Sequence, residues 1–139
     1  MDIIQQLKEE HVEILRLFDD ITEDTDDDKT ENRIILGYFR ELNDILATHV
    51  DLENKTIYAK LKKSEHKELK ELGKAFYNEM TSILGNVTRF FDKIKKEDIG
   101  RLRKSAAFRK DLNEITKKVR KRVAIEENIL FPAYKRYYG

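Results

Sequence analysis

The chain has 139 residues, long enough for a single domain over residues 1–139 with a buried core. Its 28 basic and 27 acidic residues leave a net charge of +1, so we expect neither nucleic acid nor a membrane surface as a partner. There is no cysteine, no export signal and no apolar stretch long enough to cross a bilayer, and we therefore expect a cytoplasmic protein without disulfides or thiolate chemistry.

Four amphipathic helices are predicted along the chain. Charged and hydrophobic residues each make up 40% of it, and one Pro and five Gly leave little material for turns, which favours long helices over a sheet. The first helix begins with Asp2 as N-cap and ends in an acidic connection over 23–30. The second runs from about 30 to 61, the third from about 65 to 95, and the fourth begins between 101 and 105. Short connections between such helices predict an all-α, antiparallel up-down-up-down four-helix bundle.

Three local features of these helices can be predicted as well. Gly37, near the start of the second helix, is expected to mark a close contact between helices. The basic run 101–104 is expected to form a solvated face. Pro132 should kink or terminate the fourth helix, because proline lacks the N–H of a regular helical residue.

His49 and Glu53 are the polar residues around which the core must be arranged. They lie four residues apart, so they project from one face of the second helix, one turn apart. That face is otherwise apolar, and an unpaired polar group buried among apolar side chains is costly. Their partner is therefore another polar side chain or a metal ion.

Folding the sequence about each predicted turn brings polar residues of the other helices to the level of this pair. His11 points inward from the first helix, Glu126 and Arg122 continue the inner stripe of the fourth, and Glu79 lies at the corresponding height on the third. His66 falls a turn or more beyond this level and ranks below Glu79. Two imidazoles with three carboxylates suit iron, manganese or zinc, whereas an arginine stays protonated and is expected to pair with the carboxylates. A hydrogen-bonded core without metal remains the alternative.

Three motifs spread over nearly the whole chain carry a family resemblance: His11, His49-x-x-x-Glu53 followed by Ile57-Tyr58, and Glu126-Glu127-x-x-Leu130-Phe131-Pro132. Together they resemble the hemerythrin-like, HHE cation-binding family. The resemblance implies a four-helix bundle with a non-haem, usually two-iron, centre. It also implies reversible O₂ binding, or sensing of oxygen, iron, nitric oxide or redox state. By position it makes His11 and His49 terminal ligands and Glu53 and Glu126 bridging ligands.

The chain departs from the family at several ligand positions. Arg122 stands where the family's fourth helix commonly has a histidine, and a family histidine on the third helix falls near Lys70 if His66 is aligned as the first. One metal position therefore keeps its ligands, whereas the second would need Glu79 or His66. Some family members resemble this chain in having that arginine together with a Glu-Met pair on the third helix, here Glu79-Met80, and this analogy favours Glu79.

We therefore expect one or two non-haem iron ions, with manganese or zinc as alternatives, and a small ligand such as O₂ or peroxide. The first function is a metal-binding protein that responds to O₂, iron or redox state and is not a turnover enzyme. The second is an oxidase- or peroxidase-like enzyme, because carboxylate-rich iron sites activate O₂ or peroxide more readily than histidine-rich ones. The third is a metal-free structural bundle in which Arg122 replaces a cation. Tyr58, Tyr77 and Tyr134 are expected to be packing residues, and the chain to be a monomer or a homodimer.

Overall fold

Long helices account for most of residues 2–138, the part of the chain that the computed structural model describes. Two π-helical turns, Asn54–Tyr58 and Glu126–Leu130, continue directly from α-helices. The α-helices in chain order are α1 (Ile3–Asp26), α2 (Asn32–Glu53), α3 (Ala59–Lys62), α4 (Lys67–Lys96), α5 (Ile99–Leu102), α6 (Ala106–Ile125) and α7 (Phe131–Tyr138). Residues 2–138 contain no strand, so the all-α prediction is confirmed. None of the helices in this range combines the length and apolarity needed to cross a membrane.

Side-chain caps fix where two of the long helices begin. Asp2 Oδ1 accepts a hydrogen bond from the backbone N–H of Ile4 at 2.8 Å, as the predicted N-cap of α1 requires. Ser105 Oγ accepts from the backbone N–H of Phe108 at 3.3 Å at the start of α6. Both bonds satisfy a helix N–H that has no partner within the helix itself.

Two groups of buried side chains fill the bundle. The first joins the second half of α1, the first half of α2, the second half of α4 and much of α6, and includes Phe18, Phe39 and Phe108. The second joins the start of α1, the first π-helical turn with α3, the start of α4 and the C-terminal segment, and includes Leu7, Ile57, Phe76 and Phe131. In an up-down-up-down bundle, each group of buried side chains is expected to join the helix ends that lie at the same level. The order of the helices itself stays a prediction.

Arg103 corrects the expectation that the run 101–104 is a solvated face. Its guanidinium donates hydrogen bonds to the backbone oxygens of Thr30 at 2.6 Å and Asp24 at 3.0 Å, and to Asn32 Oδ1 at 2.9 Å. These acceptors surround the connection between α1 and α2. Because a guanidinium carries five N–H donors in a fixed fork, one side chain can hold several parts of that connection.

The fourth long helix continues past Pro132, so of the two predicted outcomes, a kink or termination, termination is wrong. The helix runs on as α7 to Tyr138. A π-helical turn ends directly before α7, and its last hydrogen bond runs from the Phe131 N–H to the Glu126 oxygen, five residues back. In this wider turn the carbonyl four residues back no longer lies where the ring of a proline meets it in a regular α-helix.

The close helix approach occurs at Gly73, and the expectation for Gly37 is wrong. A Cβ on Gly73 would lie 2.7 Å from Leu61 Cβ, so α4 passes directly against α3 at this residue. A Cβ on Gly37 would meet nothing within 4 Å, because that residue faces solvent. A glycine indicates close packing only where its face of the helix is covered.

Alanine at these two glycines should change stability in opposite directions. Gly37→Ala is expected to raise the free energy of unfolding by about 0.5–1 kcal/mol, because glycine is unfavourable inside a helix. Gly73→Ala should lower it by about 1–3 kcal/mol, since the new methyl group meets a Cβ that moves only with its backbone. Urea denaturation of both variants measures the difference. A Gly73→Ala protein as stable as the parent would show that α3 and α4 are not held this close.

Candidate metal centre

Four buried side chains from three helical segments meet inside the bundle. His11 comes from α1, His49 and Glu53 come from α2, and Glu126 is the first residue of the second π-helical turn. Each is at most 4% exposed. One nitrogen or carboxylate oxygen from each residue lies within 4.8 Å of the corresponding atoms of the other three. We call these four residues the His/Glu cluster.

On the inner side of the cluster each imidazole faces a carboxylate. His11 Nε2 lies 3.0 Å from Glu126 Oε1, and His49 Nε2 lies 2.5 Å from Glu53 Oε1. His11 Nε2 also lies 4.0 Å from Glu53 Oε1, and the two imidazole rings are 4.7 Å apart between centroids. The Nε2 atoms of both histidines therefore point to one place.

On the outer side each imidazole is held by a second carboxylate. His11 Nδ1 lies 2.8 Å from Glu127 Oε2, and His49 Nδ1 lies 2.8 Å from Glu10 Oε1. An ionised carboxylate only accepts hydrogen bonds, so Nδ1 carries the proton in both rings. Metal-binding histidines are usually held in this way, with one ring nitrogen toward the metal and the other donating to a carboxylate.

The role of these outer carboxylates could not be predicted from the sequence, in which Glu127 stands out only as part of a motif. Their side chains are 22% and 32% exposed, so hydropathy periodicity assigns them to the flank of the helix. The available signal was their position next to inward-facing residues, since Glu10 precedes His11 and Glu127 follows Glu126.

Arg122 closes one side of the cluster. Its Nε donates to Glu126 Oε2 at 3.1 Å, and its Nη2 donates to the Tyr58 hydroxyl at 2.6 Å and to the Phe76 backbone oxygen at 2.7 Å. The guanidinium also lies 4.7 Å above the Phe76 ring. Tyr58 is buried as a packing residue and in addition accepts this hydrogen bond. Tyr77 also packs against another side chain, since its ring lies edge to face with that of Tyr58, but it does so at the surface, where it is 45% exposed.

The two carboxylates of the cluster have opposite pKa shifts. Burial raises the pKa of Glu53, and the nearby Glu126 charge adds to this effect, although His49 opposes it. Burial also acts on Glu126, but hydrogen bonding from His11 and the charge of Arg122 outweigh it and lower the pKa of this carboxyl. For His49, burial opposes the charged form, yet the carboxylates around it raise its pKa.

Glu53 is the cluster carboxylate whose two oxygens are not both paired with a hydrogen-bonding or positive group. Its Oε2 is buried and has no hydrogen-bond partner, whereas both oxygens of Glu126 are paired. An unsatisfied buried oxygen of a carboxylate is costly, and a cation beside it would remove that cost. Two imidazole nitrogens with carboxylate oxygens form a donor set that suits iron, manganese or zinc. The residues present therefore fit a metal ion.

Glu79 and His66 are not brought into the cluster. The Glu79 side chain is 54% exposed, with Oε2 3.8 Å from Arg122 Nη1. His66 is exposed at the N-cap of α4, with its ring centroid 4.7 Å from that of Tyr137. Folding the sequence about a turn gives the height of a residue but not the rotation of its helix, and it is Met80 rather than Glu79 that faces inward.

The family comparison agrees with this geometry. The family model for the hemerythrin HHE cation binding domain matches residues 2–134. The chain belongs to this family. Neither the curated proteins nor the solved structures gave a match. The resemblance recognised from the motifs is confirmed, and the His/Glu cluster is the group in residues 2–138 at which this HHE domain could hold a cation.

A small cavity of the HHE domain adjoins the cluster. Its volume is about 50 Å³. A single water needs roughly 10–15 Å³ by the same kind of measure, so the cavity has room for a diatomic molecule but not for an organic substrate. The walls beyond the cluster are mainly apolar and include Ile14, Leu46, Val50, Met80, Ile83, Val87 and Val119.

Removing one imidazole tests whether the cluster holds metal. His49→Ala should lower metal affinity by more than about tenfold, because it deletes an inward nitrogen of the cluster. Metal content is measured by mass spectrometry after expression in iron-supplemented medium, with circular dichroism as the check on folding. His66→Ala removes the exposed histidine and serves as the matched control, which should keep its metal. Equal metal content in both variants would remove His49 as a ligand.

Proposed function

We propose that this HHE domain binds one non-haem iron ion through the His/Glu cluster and responds to O₂ or to redox state. The observation that carries the proposal is the meeting of four ligand atoms within 4.8 Å in a buried core, where Glu53 Oε2 has no other partner. Iron is preferred over zinc because zinc has no redox chemistry. It is preferred over manganese because the family resemblance implies non-haem iron.

The proposal of one ion rests on how Glu126 is used. Its Oε1 faces His11, and its Oε2 accepts from Arg122. A carboxylate that bridges two metals directs both oxygens to metal, but a guanidinium cannot act as a ligand. The bridging role that the resemblance implies for Glu126 is therefore not supported. In our proposal the fixed positive charge of Arg122 occupies the side where a second ion would lie.

The cavity beside the cluster supports a small ligand. Bound iron would supply the redox chemistry, while the chain holds the ion, excludes bulk water and limits the size of what can approach. A volume of about 50 Å³ fits O₂ and admits peroxide, but it does not fit a larger organic substrate. This favours binding and sensing over turnover of such substrates. Sustained peroxide consumption by the iron-loaded protein, lost in His49→Ala, would instead favour the enzyme.

Iron content and the absorption spectrum test the proposal together. Protein reconstituted anaerobically with Fe(II) is expected to hold about one iron per chain and to melt at a higher temperature, because an ion that binds only the folded state stabilises it. Exposure to air should produce a near-ultraviolet charge-transfer band that anaerobic reductant removes. Protein that takes up no iron, and whose melting temperature does not respond to it, would support the metal-free network.

Substitution of Arg122 tests the number of ions. Arg122→His replaces the guanidinium that binds Glu126 Oε2 with an imidazole that can act as a ligand, so iron should rise from about one toward about two per chain. Arg122→Lys keeps the charge without adding a ligand and should stay at about one. Iron analysis of the folded fraction distinguishes the variants. Two irons per chain in the parent protein would overturn the proposal of a single ion.

A further inference from the structure

A surface cleft of about 640 Å³ lies between the first π-helical turn with α3 on one side and α4 on the other. Its volume falls in the range of about 300–1,000 Å³ that is typical of small-molecule sites. The four residues of the His/Glu cluster do not line it. The cleft is therefore a separate feature of the domain that the metal centre does not use.

All charged residues that line this cleft are basic. Lys62 and Lys63 line it from the end of α3, and Lys70 and Lys74 line it from one face of α4. None of its lining residues is acidic. The chain as a whole has nearly equal numbers of basic and acidic residues, so overall composition does not explain this. Two other surface clefts in the described part of the chain are lined by both signs of charge. We call the cleft with the four lysines the basic cleft.

The wall between the lysines is largely apolar. Tyr58 and Tyr77 line it, and their rings lie edge to face with centroids 5.7 Å apart. Ala59 adds a small apolar surface, and Gly73 lines the wall where α4 packs against α3. The basic cleft therefore combines an aromatic surface with positive charge.

We propose that the basic cleft binds a small amphipathic organic anion, with its apolar body against the tyrosines and its anionic head among the lysines. Exposed ion pairs contribute little by themselves because water and salt screen them. Burial of the apolar body must therefore supply much of the affinity, and the lysines select the sign of the charge. The carboxylate of a medium-length acyl chain has both features.

The proposal stands apart from the proposed iron site. Tyr58 links the two, since it lines the cleft and its hydroxyl accepts a hydrogen bond from Arg122. The lysines that carry the proposal touch no residue of the cluster among the hydrogen bonds and ion pairs of residues 2–138. A negative result at the cleft would therefore leave the iron proposal unchanged.

Calorimetric titration of the protein as purified with three probes tests the ligand class. Decanoate combines the charge with an apolar body and should bind saturably, with one molecule per chain. Acetate keeps the charge without the body, and decylammonium keeps the body with the opposite charge, so both should bind at least about tenfold more weakly. Absence of decanoate binding would overturn the proposal. So would acetate or decylammonium binding as tightly as decanoate.

Charge reversal locates the binding. Lys70→Glu combined with Lys74→Glu should weaken decanoate binding by at least about tenfold, because it places two negative charges beside the anionic head. The matched control reverses Lys117 and Lys121, which are exposed on α6, also lie four residues apart and change the net charge equally. This control should bind decanoate as the parent does. Equal weakening in both would show an effect of net charge alone and would overturn the assignment to the cleft.

A second variant, at the other wall of the cleft, tests the same proposal if the first variant does not fold. Lys62→Gln combined with Lys63→Gln removes two positive charges without adding negative ones, and it should weaken decanoate binding by about threefold or more. Circular dichroism and melting curves confirm that each variant is folded. Unchanged decanoate affinity in a folded protein of either cleft variant would contradict the proposal.

Discussion

The structure depends on how the core compensates two carboxylates that lie close together, Glu53 and Glu126. Two buried anions at such a distance raise each other's pKa unless positive groups face them. Glu126 has His11 on one oxygen and Arg122 on the other, whereas Glu53 has a close partner only on the oxygen that faces His49. The compensation is therefore asymmetric, and the electrostatic need for a cation is concentrated at Glu53.

The π-helical turns explain how two helices supply their parts of this arrangement. Glu53 directly precedes the turn Asn54–Tyr58, and Glu126 opens the turn Glu126–Leu130. A π-helical turn shifts the faces of the residues that follow it, and such turns are frequent at functional sites. Within the first turn both Ile57 and Tyr58 are buried, and the Tyr58 hydroxyl reaches Arg122. The helix around this one π-helical turn thus supplies both Glu53 and Tyr58. Tyr58 in turn contacts the Arg122 guanidinium that pairs with Glu126.

The fold class could be predicted from the sequence because apolar residues recur with the helical period and few Gly or Pro residues interrupt them. The family could be recognised from the resemblance of three motifs, which include His11, His49 and Glu126. The roles of these residues as ligands stay a prediction. Glu79 was chosen for its height in the bundle, but height does not determine which face of a helix a residue lies on, and the side chain is exposed while Met80 beside it is buried. Arg103 and the outer carboxylates Glu10 and Glu127 were hidden for another reason. Their contacts join parts of the chain that are distant in sequence, and charged residues near a surface look alike until those parts meet.

Arg122 makes part of the charge balance permanent. A guanidinium does not lose its proton in a protein and has no redox chemistry, so Glu126 keeps a positive partner whatever else is bound. Small metal-dependent domains often fold only when the ion is present, because the ion supplies most of their stability. Here large apolar clusters pack on both sides of the His/Glu cluster. Stability from those clusters, together with the fixed charge of Arg122, would let the bundle keep its shape when an ion leaves. A site that keeps its shape without its ion can lose and regain it reversibly, which suits the redox-responsive role that we propose for this domain.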